Sequence, residues 1–189
     1  MSDLRRQVLE AAEALLLERG YRGLSMREIA EAVGVTKAAL YYHFKDKEEL
    51  LLAILDAYLV DMEARLAALA DEALPARDKI QRLVAMILSQ PAEKRALIRL
   101  SSQEMAQLGH PARQSFDRVY HTRFLDRIQA ILQHGMQTGE LRRVDPGMAA
   151  WALLGMLYPY FYPAHSQDLP APADVAGQLA ALFLDGLAL

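Results

Sequence analysis

The sequence predicts an all-α protein of about nine helices, with an N-terminal three-helix domain and a larger C-terminal helical domain. Apolar residues recur at helical spacing along almost the whole chain, and runs of strand length that alternate apolar and polar residues are missing. Ala, Leu, Glu, Arg and Met dominate, and these residues favour helices. Glycines and prolines separate the periodic segments. We expect one domain over residues 1–46 and a second over residues 47–189.

Local signals divide the first 46 residues into three short helices. Gly20 follows the first helix and is its predicted C-terminal stop. Ser25, with Glu28 three residues later, predicts a capping box that opens the second helix. Gly34 ends that helix because a tight turn tolerates glycine best. Thr36 is the predicted cap of the third helix, which ends near residue 44.

Longer helices fill the remainder of the chain. Asp46 and Glu49 predict a second capping box, and Asp145-Pro146 predicts an N-cap followed by proline in the first helical position. Pro159 is expected to kink or end the helix that contains it. The six predicted helices cover approximately residues 47–70, 75–89, 91–108, 111–134, 146–164 and 172–187, the fifth of them with its kink or end at Pro159.

Composition excludes several classes of protein. The 189 residues include no cysteine, which removes disulfide frameworks, thiolate zinc sites, iron–sulfur clusters and cysteine nucleophiles. The formal net charge of -3 excludes a generally basic coat for nucleic acid. Residues 147–164 carry no charge, but glycines and prolines interrupt them, so a buried helix is favoured over a membrane span. We expect a cytoplasmic protein without a signal peptide, a cofactor or a metal ion.

The second and third helices together have the pattern of a helix-turn-helix motif. In this motif the second helix lies in the DNA major groove and its N-terminal residues contact base edges. At about 100° per residue, Leu40 and Phe44 fall on one side and anchor the helix to the core. The opposite side is a contiguous arc formed by Lys37, Ala38, Tyr41 and Tyr42. We call these four residues the recognition arc.

The recognition arc has a cation, a small residue and two phenols beside further phosphate-binding candidates. Ser25 and Thr36 stand at helix N-termini, where free N–H groups and the helix dipole favour anions. Residues 36–47 hold three lysines against one aspartate, so the patch is locally basic. Solvated helix faces and helix caps in an all-helical domain explain the same residues, and spacing alone leaves that alternative open.

The stretch Gly20–Leu52 closely resembles the N-terminal DNA-binding segment of TetR/AcrR-type transcriptional regulators. The segment around Gly135, Gly139 and Asp145-Pro146 also resembles the loop before the penultimate helix of that family. The matching points in the first stretch are Gly20-Tyr21, Ser25, Ile29-Ala30, Gly34-Val35, Leu40-Tyr41, His43-Phe44, Lys47 and Leu50-Leu51.

This resemblance implies a homodimeric DNA-binding regulator, usually a repressor, that binds a palindromic operator and is released by a small-molecule effector. Lys37 and Ala38 resemble the base-contacting pair of the family. The resemblance also implies phosphate contacts by Tyr41, His43 and Lys47, either role for Tyr42, and backbone contacts by Ser25 and Arg27. Thr36 lies where family members vary. The small Ala39 side chain offers no polar contact.

The C-terminal domain is expected to hold a mostly apolar effector with a few polar anchors. Glu104 is a candidate anchor because it lies on an apolar stripe with Leu97 and Leu108, although an ion pair with an arginine of the next helix, Arg113 or Arg118, is the favoured explanation. The aromatic and methionine candidates also fit an ordinary core. These candidates for the effector site are Tyr58, Met62, Phe116, Tyr120, Phe124, Trp151 and Tyr158.

The last two helices have more apolar surface than one monomer face can bury. A two-fold four-helix interface would cover it. The residues expected at this dimer interface are Trp151, Leu154, Tyr158, Leu179, Leu182 and Phe183.

Two other classes of function are weaker on the sequence. Serine-hydrolase elbows, zinc-protease motifs, P-loops and dinucleotide fingerprints are all missing, so an enzyme is not expected. A helical interaction protein with a disabled DNA-binding segment would lack an intact recognition arc and Lys47, which are present here.

Overall fold

The computed structural model describes residues 3–105, 108–162 and 169–187. All regular structure in these ranges is helical, which confirms the predicted fold class. Nine helices follow one another there: α1 (Asp3–Gly23), α2 (Met26–Val33), α3 (Lys37–His43), α4 (Lys47–Asp71), α5 (Ala76–Leu88), α6 (Ala92–Glu104), α7 (His110–Tyr120, a π-helical turn His121–Leu125, and Asp126–Gln137), α8 (Pro146–Leu157) and α9 (Pro172–Leu187).

The chain forms two compact units. The first consists of Met1–Tyr58 and Leu100–Arg118, and the second of Leu59–Arg99 and Val119–Leu189. Helices α4, α6 and α7 each contribute residues to both units. The predicted domain boundary after residue 46 stays a prediction.

Helices α1, α2 and α3 pack together in the first unit. Each contributes side chains from one face, at the spacing that an amphipathic helix requires. The largest fully buried side chains there include Leu16 from α1, Ile29 from α2 and Leu40 from α3. Phe44, just beyond α3, is 1% exposed and completes this core. The core therefore fixes which side of α3 is available to solvent.

Three of the four predicted helix caps are confirmed. Thr36 Oγ1 accepts a hydrogen bond from the Ala39 N–H at 3.2 Å. Asp46 Oδ1 accepts one from the Glu49 N–H at 2.8 Å, while the Glu49 carboxylate accepts one from the Lys45 N–H at 2.8 Å. At the start of α8, Asp145 Oδ1 accepts one from the Met148 N–H at 2.7 Å.

The capping box predicted at Ser25 is wrong. Ser25 is the N-cap residue of α2, but its side chain makes no capping hydrogen bond. Glu28, the other half of the predicted box, instead accepts from Arg19 of α1 at 3.1 Å. A charged partner from the neighbouring helix therefore holds the carboxylate that the box requires.

The predicted ends of several helices also need correction. Helical hydrogen bonding continues to residue 23, although Gly20 has φ 70° and ψ 176° and breaks the regular geometry where the stop was predicted. Helix α6 ends at Glu104 rather than near residue 108. Helix α7 extends to Gln137 and includes a π-helical turn that the sequence did not predict. Helix α8 ends at Leu157, two residues before Pro159, and a short 3-10 helix follows (Tyr158–Phe161).

The second unit is built around a close approach of α5 and α7. A Cβ atom on Gly135 of α7 would lie 2.5 Å from the Cβ of Ala76, so the α5–α7 contact depends on glycine at this position. Glu140, in the following loop, accepts the Ala76 N–H at 2.7 Å. Its carboxylate satisfies a free backbone donor at the start of α5. Helix α9 packs against α5 in the same unit.

None of the described helices combines the length and apolar character needed to cross a membrane.

Candidate nucleic-acid interface

The recognition arc lies on the solvent side of α3. Leu40 is 0% exposed and anchors the opposite side of the helix, as the sequence predicts. Lys37 and Ala38 are exposed at the helix start. Tyr41 is 43% exposed and Tyr42 86%, so neither phenol belongs to the core. A seven-residue helix thus presents all four predicted residues to solvent.

Neighbouring side chains constrain the recognition arc. The Nζ atom of Lys37 lies 5.7 Å from the ring centroid of Tyr41, within the range of a cation–π contact. The Tyr42 ring meets the His43 ring edge-on, with centroids 5.3 Å apart. The helix therefore presents two pairs of side chains, Lys37 with Tyr41 and Tyr42 with His43, that can contact base edges and phosphate oxygens.

The turn before α3 is set by Gly34. Its φ of 73° and ψ of 29° place it in the left-handed region that favours glycine. The Gly34 N–H donates to the carbonyl oxygens of Ala30 and Glu31, and the Val35 N–H donates to Ala30 O at 2.9 Å. These bonds close the end of α2 and start the chain toward α3.

Lys47 is held against the end of α1. Its Nζ atom lies 4.4 Å from the ring centroid of Tyr21 and 3.5 Å from the carbonyl oxygen of Arg22. A cation is favoured near the last carbonyls of a helix, so this position has a structural reason. The same contacts restrict the ammonium group for which a phosphate contact was predicted.

The two residues at the start of α2 that are predicted to contact the DNA backbone, Ser25 and Arg27, differ in their exposure to solvent. Ser25 is half-buried, and its hydroxyl makes no cap to the helix. Arg27 is exposed, and its Nε donates to Glu31 at 2.7 Å. The hydrogen bond to Glu31 raises the pKa of Arg27 above its ordinary value. The Glu31 carboxylate offsets the charge of Arg27, so a contact with phosphate has to compete with it.

Sequence reasoning missed the role of Arg5. Its guanidinium carbon lies 5.1 Å from the ring centroid of Phe44, the residue that ends α3. A cation from α1 therefore lies against the residue that follows the C-terminal end of α3. Helical periodicity placed Arg5 on the first helix but gave no signal of this long-range contact.

The effector candidates fall in both compact units. Tyr58 and Phe116 belong to the first unit, and the Glu104 side chain lies outside the described residues. In the second unit Tyr120 contacts two rings, with centroids 5.5 Å from Phe124 and 6.3 Å from Trp151. The other two candidates in that unit are Met62, which is fully buried, and Tyr158, whose ring centroid lies 4.6 Å from that of Tyr162 with the ring planes tilted by 42°.

Burial makes the phenol of Tyr120 a weaker acid than an exposed tyrosine. Desolvation raises its pKa to about 12, because the charged phenolate is disfavoured away from water. Tyr120 immediately precedes the π-helical turn of α7, and such turns are frequent at functional sites. The three-ring cluster around Tyr120 is thus the part of the predicted effector site that the structure brings together.

The residues predicted at the dimer interface divide by exposure. Trp151 is 51% exposed and Leu182 is 66% exposed, and Tyr158 is also exposed. Leu154 and Phe183 are buried within the chain and so present little surface to a second copy, and Leu179 is half-buried. Met148 of α8 adds a further exposed side chain one helical turn from Trp151. We call Met148, Trp151, Tyr158 and Leu182 the apolar face.

Two family comparisons cover most of the chain. Residues 8–54 match the family described as "Bacterial regulatory proteins, tetR family". Residues 73–162 match the "Tetracyclin repressor-like, C-terminal domain". The chain belongs to the TetR family. It is therefore a DNA-binding transcriptional regulator with a helix-turn-helix at its N-terminus, and the recognition arc lies within the first matched segment.

Relatives and solved structures extend this TetR assignment over the whole length. The HTH-type transcriptional repressor KstR2 of Rhodococcus jostii (strain RHA1) is 26% identical, covering 99% of this chain and 92% of its own. FadR from Bacillus subtilis, solved with stearoyl-CoA, has a TM-score of 0.84 at 21% identity, and the match covers 96% of this chain and 98% of FadR. At this identity the similarity establishes a shared fold and nothing more. AibR, solved with isovaleryl coenzyme A and operator DNA, has a TM-score of 0.77 at 26% identity, covering 96% and 98%.

Proposed function

We propose that this TetR family regulator represses transcription by binding a palindromic operator as a homodimer, and that a small, partly apolar effector releases it. The recognition arc carries the proposal. Its four residues lie outward on a helix whose opposite side is buried. Lys37 can donate to guanine O6 and N7, and the two phenols can donate to phosphate oxygens.

A dimer gives one α3 helix to each half of a palindrome. The half-sites on one face of a duplex lie about 34–36 Å apart, so two copies have to be held at a matching distance. The apolar face supports dimer formation, since large apolar side chains exposed on α8, on the 3-10 helix after it and on α9 mark an interaction site. We assign the recognition of DNA to α3 and the pairing of copies to α8 and α9.

The effector part of the proposal rests on the C-terminal domain and on two relatives. KstR2 is named a repressor, and AibR was solved with both isovaleryl coenzyme A and operator DNA. An acyl-coenzyme A thioester is therefore a first candidate for the effector that releases the protein from its operator. A coupling free energy of about 1–3 kcal/mol between effector and operator is typical for such control.

The proposal assigns the protein a regulatory role without catalysis and places it in the cytoplasm, where chromosomal operators are located. Supporting features are the family assignment and the missing enzyme motifs noted in the sequence.

Fluorescence anisotropy with the DNA that flanks the protein's own gene tests the proposal. We expect two chains per palindromic site and binding to a scrambled duplex weaker by a factor of about 10³ or more. Lys37→Ala should lower operator affinity by about 1–3 kcal/mol and random-DNA affinity by less. Arg65→Ala is the matched control, because it removes an exposed cation paired with Asp61 on α4. Equal binding of operator and scrambled duplexes by the unmodified protein would disprove the proposal.

A further inference from the structure

The interior of the second unit contains an amide group with a poor partner. Gln90 follows the end of α5 and is only 8% exposed. Its Nε2 atom donates to the Sδ atom of Met62 at 2.9 Å, and Met62 is fully buried. A thioether is a weak hydrogen-bond acceptor. Burying an amide without a good partner is costly, so this arrangement calls for a physical reason.

A guanidinium group lies beside Gln90. Arg95 of α6 is half-buried, and its Nη1 atom donates to Leu88 O at 3.2 Å and to the backbone oxygen of Gln90 at 2.5 Å. These bonds fix the guanidinium at the end of α5. Its Nε atom is buried and makes no hydrogen bond within the part of the chain that the structure describes.

The charge of Arg95 also has no counter-ion among the described residues. None of the ion pairs between described residues includes Arg95, and Glu63 in the same unit, for example, pairs with Arg123 and Arg127 instead. A half-buried cation without an anionic partner is unfavourable, because the low-dielectric interior does not replace its hydration. Gln90 and Arg95 thus leave donors unused at one place in the second unit.

We infer that Gln90 and Arg95 form the polar end of the effector site, and that this site takes an amphiphilic anion, with a carboxylate or similar oxyanion joined to an apolar body. The inference rests on the proposed function and deepens it by naming the chemical class of the effector. When the anion binds, the Gln90 amide exchanges its weak hydrogen bond to Met62 for a charge-assisted hydrogen bond to the anion.

The chemistry of the two side chains fits such a ligand. A carboxylate can accept from Arg95 Nε and from the Gln90 amide at once, and bonds to ionised acceptors are roughly twice as strong as neutral ones. The flexible Met62 side chain can move aside because it gives up only a weak hydrogen bond. Leu59 and Leu66 share its face of α4 at helical spacing and are buried, so the apolar body has apolar neighbours.

Isothermal titration calorimetry without DNA tests the inference with two probes of equal length, octanoate and 1-octanol. The unmodified protein should bind octanoate saturably and at least tenfold more tightly than 1-octanol. Added salt should weaken the binding of octanoate more than that of the alcohol, because only the first carries a charge.

Two variants assign the preference to residues. Gln90→Leu removes a poorly matched buried amide, so it should keep or raise the melting temperature while weakening octanoate binding about tenfold. Arg95→Met should weaken it about 100-fold and leave 1-octanol within twofold. Gln133→Leu and Arg82→Met are the matched controls, because Gln133 is exposed on α7 and Arg82 pairs with Glu72 at the surface.

Each contrary result has a defined meaning. If the unmodified protein does not bind octanoate, if it binds both probes equally, or if folded Gln90→Leu retains full octanoate affinity, the inference is wrong. Operator binding is measured separately. If the protein binds the operator but fails these tests, the anion site is disproved and the proposed function stands. A protein that passes these tests without binding DNA would overturn the proposed function.

Discussion

At the scale of single residues, the candidate DNA surface depends on cations that the fold already engages. Lys37 lies over the Tyr41 ring, Lys47 over the Tyr21 ring and Arg5 over the Phe44 ring. Contacts with rings restrict a cation but leave its N–H donors available, because the attraction comes from the ring face. The contact with Tyr41 therefore orders Lys37 on α3 and leaves its N–H donors available to DNA.

Lys47→Ala separates a phosphate contact from a structural one. We expect weaker binding to operator and random DNA alike, with the slope of log affinity against log salt smaller by about one, because one phosphate contact is lost. Titrations at several salt concentrations measure this slope, and Arg65→Ala is the charge-matched control. An unchanged slope would mean that Lys47 serves only to tie α4 to the end of α1.

Tyr120 predicts a loss of stability at high pH. Its pKa in the folded protein is raised to about 12 by burial, against an ordinary value near 10. The stability that this shift contributes is fully present below about pH 10 and is lost as the pH rises toward 12, because the unfolded chain ionises first. The shift corresponds to roughly 3 kcal/mol of unfolding free energy, lost in full only once the pH exceeds the folded-state pKa.

Urea unfolding at pH 9 and pH 11.5 tests this assignment. Tyr120→Phe should lose less stability between these pH values than the unmodified protein. Tyr42→Phe is the control, because Tyr42 is 86% exposed and its hydroxyl meets solvent. Equal losses in the unmodified protein and Tyr120→Phe would show that another group governs the alkaline transition.

At the scale of elements, local signals predicted the helices well and long-range contacts did not follow from them. The caps at Thr36 and Asp145 were predictable because donor and acceptor are three residues apart. The box at Ser25 failed because Glu28 pairs with Arg19 of another helix. The same limit hid the Gln90–Met62 hydrogen bond, whose partners lie on different elements. Periodicity identifies a buried face but does not identify what it meets.

The recognition arc was predictable for a related reason. Leu40 and Phe44 were assigned to the core from spacing alone, and their burial determines the exposed side of α3. The effector candidates lacked such a constraint, since an aromatic residue at helical spacing fits a core and a binding site equally. The ring distances around Tyr120 bring three of these candidates together in the part of the chain that the structure describes.

Gly34→Ala tests the turn between α2 and α3. A Cβ atom at this position would meet nothing within 4 Å, so the cost comes from the left-handed backbone with φ 73°. We expect a loss of about 1–2 kcal/mol in unfolding free energy, measured by urea denaturation. Operator affinity should fall as well, because the turn orients α3.

Gly177→Ala is the matched control for this turn. Gly177 is exposed within α9 and also has open space around its Cβ position, but it has ordinary helical geometry. Alanine there should raise the unfolding free energy by about 0.5–1 kcal/mol. If both variants change stability in the same direction, backbone conformation does not explain the requirement for glycine at position 34.

At the scale of the whole molecule, the apolar face is a set of large apolar side chains that a single chain leaves exposed to solvent. Trp151, the only tryptophan of the sequence, and Leu182 each expose half or more of their surface. A stable homodimer interface typically has an apolar centre of this kind.

Trp151→Glu therefore predicts dissociation of the dimer. A carboxylate placed at the centre of an apolar interface loses its hydration without gaining a partner, so the variant should sediment as a monomer in analytical ultracentrifugation. Affinity for a full palindrome should fall by a factor of 10 or more, because each monomer then binds one half-site without the second. Leu182→Glu should have the same effect from α9, and the far-ultraviolet circular dichroism of both variants should remain that of a folded helical protein.

Val60→Glu separates this effect from the general cost of a surface carboxylate. Val60 is an exposed apolar residue of α4, 45% accessible, and lies outside the apolar face. The same change there should leave the protein dimeric and its operator affinity within twofold. If Trp151→Glu and Leu182→Glu also remain dimeric, the two chains pair through another surface, and the alignment of the α3 helices on DNA has to be explained from that surface instead.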